Sequence, residues 1–192
     1  MDQSDLWILL ESFVKEICED RDPTHGFEHM QTVAKHSVVI AEKMNISDLQ
    51  TLSLITISSW LHDVADHKYD FDGKLNQRVA DFLREFLSET ETNLVQKIID
   101  RVSFSKENKL RENYSKERVW LDYSWELGEE GFMVRCIVSD ADKLEAIGLE
   151  GLKRCYEYAK MTHPEIKDSV GIVDIVRRHS DDKLLRLLPE KF

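Results

Sequence analysis

Among the histidines and acids of this chain, four are candidate ligands for a divalent cation, each in an apolar, helix-patterned stretch. They are His29 in GFEHMQTVAKHS, the adjacent pair His62 and Asp63 in SSWLHDVADHK, and Asp140 in VSDADKLEAIG. Two neutral imidazoles and two carboxylates leave a dication with little net charge, and octahedral coordination keeps positions open for water and a substrate oxygen. Mixed nitrogen and oxygen donors suit one Mn²⁺ ion best, with Fe²⁺, Co²⁺, Ni²⁺ or Zn²⁺ as alternatives; Mg²⁺ usually takes more oxygen ligands. No thiolate joins the set, so a closed structural zinc site is not indicated. An open divalent site lowers the pKa of water from about 16 to about 7 and polarises phosphoryl oxygens, as phosphoester or phosphoanhydride cleavage requires.

Adjacent residues on a helix point roughly 100° apart, so one ion meets both His62 and Asp63 only if other helices complete its shell. His29 and Asp140 are the expected partners. Any one of these residues alone serves equally well as a hydrogen-bonded core or helix-end group. Four together in apolar settings, where an unpaired polar group costs roughly 1–3 kcal/mol, favour a shared role.

The elements that must position them read as helices throughout. Ser4 is the expected cap of a first helix running to about Glu19, with Leu6, Leu10, Val14 and Ile17 at helical spacing. Asp22-Pro23 ends it, a second helix runs from about Phe27 to Lys43, and Asn45 closes that one. Asp48 caps a third helix that is apolar on nearly every side up to His62, which predicts a central position. DHKYDFDGK reads as a loop beside the site, and helices follow near Asn76–Leu87 and Glu91–Phe104. The charged stretch from about 106 to 118 predicts an exposed excursion. Phe132–Leu144 delivers Asp140; Gly148 and Gly151 precede a helix through about Met161, and a short helix near Lys183–Leu188 closes the chain. Alternating β-branched runs and Gly-rich phosphate loops are absent. The expectation is an all-α single-domain helical bundle over residues 1–192, with its core at about 25–160.

At 192 residues, 42% hydrophobic and 33% charged, the composition is that of an ordinary globular protein. No apolar run nears the roughly 20 residues of a membrane span, and the amino-terminal stretch lacks a basic signal region. Three widely spaced cysteines form no disulfide framework, which fits a reducing, cytoplasmic setting. A formal net charge of −11 argues against a nucleic-acid binder but not against a small anionic substrate, because a bound dication can reverse the potential inside one cleft.

The order His, then His-Asp, then Asp resembles the HD-domain superfamily of metal-dependent phosphohydrolases. HGFEHMQTVAKHS is similar to the opening helix of its small stand-alone bacterial-type members, SSWLHDVADHKYD to their central motif, and VSDADKLEAIGLEGLKRCY to their closing motif. The likeness covers most of His25 to Tyr156. It implies an HD-type helical bundle with metal ligands His29, His62, Asp63 and Asp140, the first acid of Asp-Ala-Asp being the ligand. Related nucleotide phosphohydrolases carry a proton-handling acid four positions after the His of the HD pair; here that position is Asp66, a shorter arm than the usual Glu. His67, Lys68, Lys74, Arg78 and Lys143 are candidate substrate-phosphate contacts, each equally a solvated charge, and His25 and Glu28 are candidate supporting groups near His29. His36, seven residues after His29, reads as packed or hydrogen-bonded. Where relatives often have His in a His-Ser-Phe-Ser-like segment, this chain has Val102.

The implied function is hydrolysis of a nucleotide or related small phosphate ester, with nucleoside triphosphate pyrophosphohydrolysis among the options. A nucleotide-sensing or scaffold module without turnover is the alternative, and an all-α interaction domain without metal is a third reading. No nucleic-acid or membrane partner is expected.

Overall fold

The computed structural model describes residues 2–21, 26–66, 68–103, 107 and 122–184. Among them are eight helices and no strand, giving the expected all-α bundle. Caps set several helix starts. In α1 (Gln3–Ile17) the Asp2 side chain, not Ser4, takes an orphan amide, accepting from the Asp5 N–H at 2.8 Å. Ser4 already lies inside the first turn.

Helix α2 (Phe27–Lys43) ends where Asn45 adopts a left-handed backbone, φ 56°, and the Ile46 N–H reaches back to the Ala41 carbonyl at 3.0 Å. Helix α3 (Leu49–Leu61) starts at Asp48, whose carboxylate accepts from the Thr51 N–H at 2.8 Å. Helices α4 (Lys74–Arg84) and α5 (Glu89–Val102) begin at Gly73 and Ser88, the latter in a reciprocal capping box with Glu91. Helix α6 (Ser124–Ile147) is broken at Gly128, where φ 71° and ψ 169° interrupt the helical run. Helices α7 (Leu149–Thr162) and α8 (Ser169–Leu184) complete the bundle. Helix α8 starts well before the short terminal helix expected near Lys183, and residues beyond 184 lie outside the described part.

Helix α3 packs against α1, α2, α5 and α6, which explains its nearly uniform apolarity. Trp60 is fully buried, with the Trp7 ring edge-on at 5.2 Å and Phe27 at 5.8 Å. Full burial of such side chains is worth about 1.5–3 kcal/mol each, enough to hold their neighbours in place. His29 precedes buried Met30 on α2, His62 follows buried Leu61 on α3, and Asp142 follows buried Ala141 on α6. The α2–α3–α6 core therefore fixes three polar side chains by packing the residues next to them.

Most of the charged stretch at 106–118 lies outside the described residues. Glu107 departs from the expected exposure. It is buried, with its carboxylate 3.4 Å from Arg135 and 3.6 Å from Lys143, both themselves buried. Cys18 and Cys136 are buried, as expected for small apolar-like residues, and no disulfide joins the described cysteines.

Candidate metal centre

His29 enters the site from the first turn of α2. Its Nδ1 lies 3.2 Å from Glu145 Oε2 of α6. A carboxylate only accepts, so Nδ1–H donates and Nε2 is the ring nitrogen turned to the other acids of the centre. That Nε2 is 3.6 Å from Asp142 Oδ1 and 3.8 Å from Asp63 Oδ2. His62, at the end of α3, repeats the device with a different acceptor. Its Nδ1–H donates to the Ser59 carbonyl at 2.8 Å, and its Nε2 is buried without a hydrogen-bond partner. An orphaned buried acceptor is costly unless something binds it. The two imidazole rings lie 5.2 Å apart.

Ligand-type atoms of His29, His62 and Asp142 all fall within 4.8 Å of one another. Donors around one divalent ion lie roughly 3–5 Å apart, so this set fits a cation with small adjustments. Asp63 adds a carboxylate at the edge, its side chain 19% exposed. Its backbone is tied down by Arg21, which donates to the Asp63 carbonyl at 3.1 Å and also to the Val64 carbonyl. The Arg21 guanidinium lies 4.3 Å from the Tyr69 ring centre, so the turn that follows α3 is held from both sides.

The acid from α6 is Asp142 rather than Asp140. Residues two apart on a helix point about 200° away from each other, so only one of the pair can face α2. Asp142 shares its face with Glu145, one turn on, whereas Asp140 is buried where its charge acts on Lys143. The expectation for Asp140 is corrected accordingly.

The electrostatics follow from the crowding of acids and bases. Burial pushes the His29 pKa down, but the Glu145 hydrogen bond and the charges of Asp142 and Asp63 outweigh it and raise it. Burial would raise Asp142, yet Lys183, His62, His29 and Lys143 together hold it down to about 2. Glu145 is likewise lowered against its burial, by its hydrogen bond to His29 and by Arg154, which donates to the same carboxylate. Both acids are therefore ionised at neutral pH.

A pocket of about 290 Å³ opens over this cluster. Asp66 and Lys68 line it, and the Asp66 carboxylate accepts the Lys68 backbone N–H at 2.9 Å. His67 and His25 lie outside the described residues. Lys74 and Arg78 do not line the pocket: Lys74 pairs with Asp72 on the surface, and Arg78 pairs with Glu16 beside the Phe13 ring. Lys143 does not line the pocket either. It is 2% exposed, donates to Ser139 and pairs with Glu107, and burial depresses its pKa. Glu28 is exposed and does not line this pocket, and His36 is partly buried. Val102, at the position where relatives often carry His, is buried in the pocket wall.

Sequence reasoning missed Glu145, Arg154, Tyr158, His179 and Lys183, which also line the pocket. Glu145 was findable as the acid one turn beyond Asp142. The others come from α7 and α8, and no local motif marks them. Gly151 joins these helices to the site. A Cβ there would collide with the Glu145 and Ala146 carbonyl oxygens, so only glycine lets α7 start so close to the end of α6.

No family model matches the chain, and no curated protein matches it. Among solved structures, a Lactobacillus plantarum protein determined as a structural-genomics target is similar, with a TM-score of 0.60 and 24% identity. The likeness covers 84% of this chain and 66% of that one, so this chain spans just under two thirds of that protein's length. It shows a shared helical fold.

Proposed function

We propose that this protein is a metal-dependent phosphohydrolase of the HD type, acting on a nucleotide or related small phosphorylated substrate. One observation carries the reading: His29 and His62 each commit Nδ1 to a fixed acceptor, which turns both Nε2 atoms to a cluster shared with Asp142 and bordered by Asp63. Acceptor-fixed imidazoles of this kind are typical of metal-ligating histidines.

His29, His62, Asp63 and Asp142 would hold one divalent ion, with Mn²⁺ preferred for this mixed donor set. When bound, the ion supplies Lewis-acid polarisation of a phosphoryl oxygen and makes water a better nucleophile at neutral pH. Asp66, which lines the pocket, would accept a proton from the attacking water, and Lys68 would offer a cation to the substrate phosphate. Cysteines that form no disulfide among the described residues support a reducing, cytoplasmic setting. Buried Val102, in place of a polar side chain, favours one alternative, a nucleotide-sensing module that binds without turnover.

The test is metal analysis of the purified protein followed by a hydrolysis screen of nucleoside mono-, di- and triphosphates with Mn²⁺, Co²⁺, Ni²⁺ and Mg²⁺. One equivalent of bound ion with metal-dependent turnover supports the enzyme. Ion and nucleotide binding without turnover in any metal supports the sensor. Protein that cannot be loaded with any divalent ion contradicts both.

A further inference from the structure

The pocket over the metal centre is divided by charge. The α3 turn and α6 contribute Asp63, Asp66, Asp142 and Glu145, whereas α7 and α8 contribute Arg154, His179 and Lys183; Lys68 is the remaining cation. Four carboxylates against three permanent cations leave the pocket net negative, and a dication makes it net positive. Arg154 is already engaged by Glu145. Helix α8 supplies two further basic groups, His179 and Lys183, to the same pocket.

His179 and Lys183 are four residues apart, one helical turn and about 6 Å of rise, so both present to the same pocket. Lys183 is only 9% exposed, although an ammonium is costly to bury without nearby negative charge. Asp142, which lines the same pocket as Lys183, supplies part of that charge. A dication held by Asp142 would engage this carboxylate and add positive charge to the pocket that Lys183 lines. The loaded pocket then favours an additional anion at the α8 wall.

We infer, building on the metal-centre reading, that His179 and Lys183 determine specificity by binding a second phosphate-type group of the substrate while the first sits at the His29–His62–Asp63–Asp142 centre. The pocket therefore selects compact molecules with two neighbouring phosphate groups over those with one. His179 donates a ring N–H and Lys183 an ammonium, both suited to anionic oxygens.

Methylenediphosphonate and methylphosphonate, which resist hydrolysis, are the probes, titrated calorimetrically into the Mn²⁺-saturated full chain. Lys183→Gln should weaken methylenediphosphonate at least about tenfold, as loss of a charge-assisted contact implies, and His179→Gln should weaken it several-fold. His179→Gln should keep Mn²⁺ and methylphosphonate affinities within about twofold, and Lys183→Gln, which removes a cation near Asp142, should not weaken Mn²⁺ binding. Because Lys183 is buried, its variant is first checked for helical content, and His179→Gln, at a half-buried position, carries the test if Lys183→Gln fails to fold. Unchanged diphosphonate affinity, or an equal loss for both phosphonates, overturns the α8 assignment. Failure of the unmodified protein to bind Mn²⁺ overturns the metal reading instead.

Discussion

His29 and Glu145 stand 116 positions apart in the chain and meet at 3.2 Å, Nδ1 to Oε2, where the start of α2 crosses the end of α6. Glu145 also takes a hydrogen bond from Arg154 of α7, so one buried carboxylate links three helices to one imidazole. That contact decides which nitrogen of His29 is offered to the centre.

Glu145→Gln is therefore expected to weaken divalent-ion binding about 10–100-fold, the usual effect of losing the carboxylate behind a metal-ligating histidine. Helical circular dichroism should be little changed. Calorimetric titration with Mn²⁺ measures it, and an unchanged dissociation constant would show that His29 needs no such partner.

Asp142 and Asp140 are separable by substitution. Asp142→Asn should abolish stoichiometric ion binding with little loss of fold. Asp140→Asn should leave ion affinity within about threefold but lower the melting temperature, because Asp140 is buried near Lys143. Metal content and thermal melts of the two variants distinguish them, and the reverse pattern would restore Asp140 as the ligand.

Much of this was legible before any coordinates. The α2 bounds and the Asp48 and Asn45 signals follow from local chemistry, because caps act over three or four residues. His29, His62 and Asp63 sit next to strongly apolar helix faces, which marked them. Choosing between Asp140 and Asp142 requires knowing which face of α6 packs on α2, and that is a tertiary fact. Glu145, Arg154, His179 and Lys183 were hidden for the same reason: the close α6–α7 junction at Gly151 and the packing of α8 bring them to the pocket. Lys143 misled because a lysine just after the closing motif reads as a phosphate contact or a solvated charge, whereas Glu107 and Ser139 accommodate it inside.

Gly151→Ala tests that junction. The added Cβ meets backbone oxygen of Glu145 and Ala146 rather than a flexible side chain, so the end of α6 or the start of α7 must move. Overpacking of this kind costs about 1–3 kcal/mol. A lower denaturation midpoint is expected, together with weaker ion binding as Glu145 shifts. A neutral midpoint would mean that α7 docks with more freedom than the contact implies.

Asp66→Asn separates proton handling from ion binding. Metal content should match the unmodified protein, while turnover on a substrate found in the nucleotide screen falls at least about tenfold, the low side of general acid–base effects. Full activity at normal metal content would reduce Asp66 to a turn-forming residue that accepts the Lys68 amide.

The central claim is that one divalent ion sits between His29, His62, Asp63 and Asp142. Anomalous diffraction from crystals grown with Mn²⁺ tests it most directly. A single strong peak is expected about 2.0–2.4 Å from both Nε2 atoms and from carboxylate oxygens of Asp63 and Asp142. A peak elsewhere, or none at saturating Mn²⁺ in well-ordered crystals, would contradict it.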